Sequence, residues 1–149
     1  MDAAQGPAPG RSCGPCHLCC KVYPIDEIDK HGVDWCARLA QGAGCTAYDA
    51  RPHTCRAFFC LWMRDASLSD DWRPDIAGFV LSDPAPWHVL ASVDPERPAA
   101  WRRAPYEPTL REWGASAMTR ASFVGVREGE RILLLTPQGD IVIETEADA

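Results

Sequence analysis

The clearest hydrophobic patterns lie in the C-terminal part of the chain. Short runs rich in Val, Ile, Leu and Phe, bounded by turn-forming residues, predict β-strands there. The first two, IAGFVLS (76–82) and WHVLASV (87–93), are separated by DPAP; SFVGVRE (122–128), RILLLT (131–136) and GDIVIET (139–145) follow, joined by short Gly- and Pro-containing turns. Such short connections favour antiparallel pairing of the last three strands.

One helical pattern interrupts these strands. The segment YEPTLREWGASAMTRA (106–121) places Leu110, Trp113 and Met118 where they could share one side of a helix, although Gly114 is a weak helix former in its middle. The predicted class is therefore α+β, a mostly antiparallel sheet with one helix packed over it.

The N-terminal half shows a different pattern, which predicts short irregular elements between cysteines. PHTCRAFFCLWMR, which begins at Pro52, places Cys55, Phe58, Phe59 and Trp62 at helical spacing and predicts a helix whose apolar stripe faces the core. PIDEIDK (24–30) predicts a turn or two of helix. We expect this small, irregular, Cys-rich metal-binding half to pack with the sheet.

Composition indicates one compact domain. The chain has 149 residues, 46% hydrophobic and 24% charged, and no apolar run approaches the roughly eighteen residues of a membrane span. We divide it into a disordered tail at 1–12, a Cys-rich region at 13–62 and an α+β extension at 63–149 of the same domain. The N-terminus lacks a basic segment followed by an apolar one, so we expect a cytoplasmic, membrane-free protein.

Charge argues against nucleic acid as a partner. The net charge is −6, balanced over residues 1–62 and acidic over residues 63–149, where nine Lys and Arg face fifteen Asp and Glu. Phosphate-backbone binding usually requires a basic face. The Ala- and Pro-rich, Lys-poor composition is typical of a bacterial protein encoded by GC-rich DNA.

The eight cysteines carry the candidate chemistry. They are Cys13, Cys16, Cys19, Cys20, Cys36, Cys45, Cys55 and Cys60. Structural disulfides are disfavoured in a cytosolic chain with a normal core. A thioredoxin-like redox pair is disfavoured because no strand is predicted before Cys13. Overlapping CxxC spacings favour metal ligation, since two intervening residues let both sulfurs of a tight turn reach one ion.

Ligand counting leaves the metal open. Zinc takes four ligands and so does a cubane iron–sulfur cluster, so eight thiolates suffice for two sites, or for one site with spare or bridging thiols. The C-x2-C-x2-C spacing also matches the first ligands of bacterial ferredoxin clusters, but the x3-C-P element is missing after Cys19. Adjacent side chains diverge, so we expect Cys19 and Cys20 to serve different sites, or one of them to bridge.

Two motifs resemble a known family. CGPCHLCCK (13–21) and YDARPHTCRAFFCLW (48–62), with Cys36 and Cys45 between them, resemble the CxxCxxCC, or YkgJ-type, cysteine-cluster family of bacterial proteins, regarded as a zinc- or iron-chelating domain. The resemblance covers residues 13–62, and PDIAGFVL and PQGDIVI look like the extension of many members. It implies that all eight cysteines form one metal-binding set, and it supplies no reaction.

Other residues have plainer interpretations. His17 and His53 lie beside cysteines. Because eight thiols are available as ligands, we expect these histidines to lie outside the ligand set, near the metal or exposed to solvent. His88 and His31 have no visible partner, and the acidic run Asp65, Asp70, Asp71 and Asp75 is expected to be a solvated linker. Most of the six tryptophans are expected to pack in the core.

The functional prediction is a zinc-binding protein, with catalysis left open. The alternatives are an iron–sulfur redox or enzyme-accessory protein, and a zinc-stabilised module that binds a protein partner.

Overall fold

The computed structural model describes residues 8–11, 18, 39–40, 44–45, 60–84 and 87–144. The strands are β1 (Leu39–Ala40), β2 (Gly44–Cys45), β3 (Phe79–Ser82), β4 (Trp87–Val93), β5 (Phe123–Glu128), β6 (Arg131–Thr136) and β7 (Gly139–Glu144). The α-helices are α1 (Leu61–Arg64), α2 (Pro74–Ala77) and α3 (Tyr106–Met118), and two 3-10 turns span Asp70–Trp72 and Ala100–Arg102. The predicted PIDEIDK helix lies outside the described residues.

Five strands form one mixed sheet in the order β3-β4-β5-β6-β7. Sequential strands pair antiparallel at β3–β4, β5–β6 and β6–β7, whereas β4 and β5 are parallel. Parallel neighbours need a crossover connection, and α3 lies within the connection between β4 and β5. The expected α+β class and mostly antiparallel sheet are thus confirmed, with one parallel pair in the middle.

The strand bounds agree with the sequence pattern except at the first strand. Ile76 and Ala77, expected in that strand, belong to α2, which begins at Pro74. Gly78 then adopts a left-handed conformation with φ of 87° and ends the helix, so that β3 starts at Phe79. A left-handed helix end favours glycine, which has no Cβ to clash, and this explains the residue here.

Helix α3 contacts β5 and β6, and two of the three residues predicted to share one side, Leu110 and Trp113, pack in or against the core. Its buried residues are Tyr106, Leu110, Gly114 and Ala117. Met118 is 38% exposed, so the prediction that it shares the side of Leu110 and Trp113 is wrong. A Cβ on Gly114 would lie 2.9 Å from the carbonyl oxygen of Leu135 on β6, so the glycine lets helix and sheet approach closely.

The predicted helix starting at Pro52 does not continue unbroken to Arg64. Cys60 is extended, with φ of −66° and ψ of 163°, and the described helix begins only at Leu61. Leu61, Trp62 and Met63 are all buried. Three consecutive buried residues are enclosed on every side, and such short apolar runs do not reveal their conformation through periodicity.

Candidate metal centre and its surroundings

Most of the predicted metal ligands lie outside the described residues. These are Cys13, Cys16, Cys19, Cys20, Cys36 and Cys55. The backbone of Cys45 is described and pairs with Leu39 in the two-stranded β1–β2 ladder. Cys60 is the one predicted ligand whose side chain is described. His17, His31 and His53 lie outside the described residues as well.

Cys60 lies at the junction between the cysteine-rich region and the core. It is 7% exposed and directly precedes α1, whose first three residues are buried in the core that also contains Leu18. Its extended backbone places it outside the helical turn. A thiolate held there is a soft donor of the kind that zinc and iron–sulfur clusters prefer. The donor chemistry at this position therefore fits the predicted metal.

Arg11 ties the chain before the cysteine-rich region to the chain after it. Its guanidinium donates hydrogen bonds to the carbonyl oxygens of Trp62, Asp65 and Leu68, the bond to Asp65 being 2.8 Å long. It also lies over the Trp62 ring, 4.4 Å from the centroid. The last carbonyls of a helix lack partners within it, and the planar five-donor guanidinium suits several of them at once. We call this set the Arg11 contact.

A backbone hydrogen bond reinforces the Arg11 contact. The Ala8 amide donates to the carbonyl oxygen of Met63 over 2.6 Å, and Ala8 is buried. Residues 8–11 belong to the stretch expected to be a disordered tail. Their contacts with α1 arise from backbone carbonyls and one arginine, which carry no hydrophobic signature in the sequence.

Asp65 departs from the expected solvated linker. It is 3% exposed, and its Oδ1 accepts hydrogen bonds from the Ser67 amide at 2.9 Å and the Ser67 hydroxyl at 2.6 Å. Its Oδ2 is buried without a hydrogen-bond partner. An Asp–x–Ser sequence predicts such a local turn, so the sequence did contain a signal that Asp65 is not simply solvated. The carboxylate thus shapes the loop that follows α1.

The remaining aspartates of the run are more ordinary. Asp70 and Asp71 are exposed, as expected. Asp75 pairs with Arg73 through bonds of 2.6 and 2.8 Å. Although burial opposes it, this arginine lowers the pKa of Asp75 below its usual value. Across the part of the chain that the structure describes, no group of three or more His, Cys, Asp and Glu residues is placed to hold a metal ion.

His88 has surroundings that the sequence did not reveal. It lies on β4 and lines an open cleft together with Arg120, which follows α3 in the chain. Burial lowers the pKa of His88, the charge of Arg120 lowers it further, and Asp83 opposes both. Residues 32 positions apart meet here only because α3 folds back over the sheet.

Comparison with protein-family models, with curated proteins and with solved structures gave no match. Among the described residues, no helix has both the length and the apolar character needed to cross a membrane.

Proposed function

We propose that this protein binds zinc through an eight-cysteine cluster. The observation that carries the proposal is the pair of spaced motifs, CGPCHLCC and CRAFFC, with Cys36 and Cys45 between them. Thiolates at these spacings form tight-turn ligand pairs for one ion. The buried position of Cys60 supports a structural role for the last of the eight.

The Arg11 contact supports the proposal from a second direction. The Ala8 amide donates to the Met63 carbonyl oxygen over 2.6 Å and the Arg11 guanidinium lies over the Trp62 ring, so the chain just before the first cysteine contacts the chain just after the last one. This adjacency is what a ligand set spread over 48 residues needs if both ends contribute to one centre.

In this role the metal stabilises the fold of residues 13–62. Structural zinc supplies folding free energy because its thiolate cage forms only in the folded state. Eight thiolates accommodate two four-coordinate sites, and we assign Cys19 and Cys20 to different sites or to a bridge. The proposed location is the cytoplasm, where cysteines remain reduced.

An iron–sulfur cluster is the second candidate. The Cys13, Cys16 and Cys19 spacing favours it, because bacterial ferredoxins hold three cluster irons with the same C-x2-C-x2-C arrangement. A protein of this type would serve in redox chemistry or as an enzyme accessory. Under the zinc proposal, a further use of the folded region is as a surface for a protein partner.

Elemental analysis of protein purified without oxygen tests the proposal, together with a visible absorption spectrum of the same sample. We expect one to two zinc ions per chain and no visible absorbance. A brown sample that contains iron and inorganic sulfide would instead identify the metal group as an iron–sulfur cluster. Less than 0.2 equivalents of any transition metal, in reduced protein with eight titratable thiols, would refute both.

A further inference from the structure

A cleft of about 380 Å³ opens at one side of the sheet, next to the loop that follows α1. It draws its lining from three parts of the fold: Ser67 and Trp72 from the loop and 3-10 turn, His88 from β4, and Trp113, Ser116 and Arg120 from α3 and the residues after it. The volume falls within the range of small-molecule sites, roughly 300–1,000 Å³.

Two stacked indole rings form an apolar wall of this cleft. Trp72 and Trp113 have ring centroids 5.0 Å apart and planes inclined by 30°. Trp72 is itself held edge-on by Tyr106 at 5.0 Å and by Phe79 at 6.0 Å. Trp113 is only partly buried. Because Trp72 is buried, the partly exposed Trp113 ring, supported from behind by Trp72, is the rigid, planar surface, and it loses little conformational freedom when a ligand stacks on it.

The polar side of the cleft is cationic. Arg120 is exposed, and none of the carboxylates in the described part of the chain forms an ion pair with it. The described lining residues include no Asp or Glu. This is notable in a chain with a net charge of −6. An arginine without a protein carboxylate can place two N–H donors on the carboxylate of a ligand.

His88 and Ser116 supply further hydrogen-bonding groups. With its pKa lowered, His88 is neutral near pH 7 and presents one ring nitrogen as donor and the other as acceptor. The Ser116 hydroxyl donates or accepts. These groups allow a ligand that combines one anionic group with a polar substituent.

We propose that this cleft binds a small planar organic anion of the aromatic carboxylate class. The ring stacks against the Trp72–Trp113 wall, and the carboxylate pairs with Arg120. The proposal does not depend on the metal, because the cleft is built from residues of the sheet, α3 and the loop after α1.

Titration of the full-length protein, as purified with its metal, tests the proposal with three matched probes. Benzoate has both a ring and a charge, benzamide keeps the ring without the charge, and acetate keeps the charge without the ring. We expect benzoate to shift the indole N–H resonances of Trp72 and Trp113, with an affinity about tenfold higher than that of either other probe. Equal binding of all three, or no shift with any of them, would overturn the proposal.

Two arginine variants make the test specific. Arg120→Gln should weaken benzoate binding about tenfold and leave benzamide binding within twofold. Arg131→Gln is the matched control, because Arg131 is an exposed arginine on β6, outside the cleft lining; its benzoate affinity should not change. Because Arg120 is exposed, the amide NMR spectrum of the Arg120→Gln variant should remain that of a folded protein. Benzoate affinity equal in the Arg120→Gln variant and the original protein would refute the assignment.

Discussion

The guanidinium of Arg11 lies 4.4 Å from the centroid of the Trp62 ring and donates to the carbonyl oxygen of the same residue. Arg11 precedes the first cysteine by two positions, and Trp62 follows the last by two. One side chain thus joins the two ends of the cysteine-rich region. If the region holds a metal centre as proposed, we expect this contact to anchor it to the core.

Replacing Arg11 with lysine keeps the positive charge but removes the planar guanidinium, so it tests whether the geometry of the group matters beyond its charge. A lysine ammonium carries its donors on one nitrogen, so it cannot span the carbonyl oxygens that two guanidinium nitrogens reach or stack flat on Trp62, and partly buried carbonyls left without donors cost free energy. We expect the free energy of unfolding to fall by about 2 kcal/mol in urea titrations. We also expect weaker metal binding in a chelator competition.

Arg103→Lys is the control for this variant. Arg103 likewise donates to carbonyl oxygens, including that of Ile76 at 2.9 Å, and lies 5.0 Å from the Tyr106 ring, but at an exposed place away from Cys60. Its loss should cost less than about 1 kcal/mol and leave metal affinity unchanged. Equal effects of the two variants on metal affinity would contradict the anchoring role of Arg11.

Cys60→Ser tests whether the buried thiol is a ligand. Oxygen is a poor substitute for sulfur in a zinc or iron–sulfur site, so metal content per chain should fall and the remaining metal should exchange faster. Met63→Leu is the matched control, because Met63 is a buried, sulfur-containing residue of α1. It should retain the full metal content and cost less than about 1.5 kcal/mol. Unchanged metal stoichiometry and exchange in Cys60→Ser would remove Cys60 from the ligand set.

Gly114→Ala should destabilise the protein although alanine is the better helix former. The added methyl would lie 2.9 Å from the Leu135 carbonyl oxygen, and backbone on a central strand cannot move aside cheaply. Overpacking of about 1–3 kcal/mol outweighs the propensity gain of about 1 kcal/mol, so the melting temperature should fall. Glu112→Ala, on the exposed face of α3, should change stability by no more than about 0.5 kcal/mol. A more stable Gly114→Ala variant would show that α3 does not approach β6 this closely.

The Arg111–Asp140 pair should make stability depend on pH. Arg111 joins α3 to β7 through two bonds of 2.6 and 3.1 Å. The hydrogen bonds from Arg111 lower the pKa of Asp140, with burial opposing and the charge of Arg111 adding to the decrease. The stabilisation is complete above the ordinary carboxyl pKa of about 4 and is lost as pH falls through the lower folded-state value.

Asp140→Asn should therefore cost about 0.5–1 kcal/mol at pH 7 and progressively less below pH of about 4. In an Arg111→Gln background the same substitution should cost almost nothing at any pH. Urea titrations of the four proteins of this double-mutant cycle at several pH values measure the coupling. A coupling energy that persists unchanged at low pH would rule out the ion pair as its source.

His88 should titrate below its usual range. Burial and the Arg120 charge disfavour the imidazolium, and Asp83 only partly compensates. Because the unfolded chain then binds a proton more readily, His88 lowers stability as pH falls below about 6.5 and contributes nothing above it. Arg120→Gln should raise the His88 midpoint in an NMR titration, whereas Arg131→Gln should not. A midpoint insensitive to Arg120 would show that the Arg120 charge does not act on His88.

Local sequence predicted the elements of the C-terminal half well. The alternating and apolar runs between Gly and Pro turns correctly placed β4 to β7, and the helical spacing correctly placed α3. On α3 the sequence misplaced Met118, because it counts as apolar, and missed Gly114, because it has no side chain to signal contact. The prediction of a continuous helix through Cys60 was wrong, because an apolar run that is buried on all sides shows no hydrophobic periodicity.

By itself, the sequence of this protein determined the strands, the long helix and the number and spacing of its eight thiols, since local residue patterns encode the elements and the thiols are counted directly along the chain. The tertiary structure decided the parallel β4–β5 pair, the Arg11 contact and the cleft between His88 and Arg120. These depend on backbone carbonyls and on residues far apart in the chain, and only the folded path of the backbone brings such groups within bonding distance.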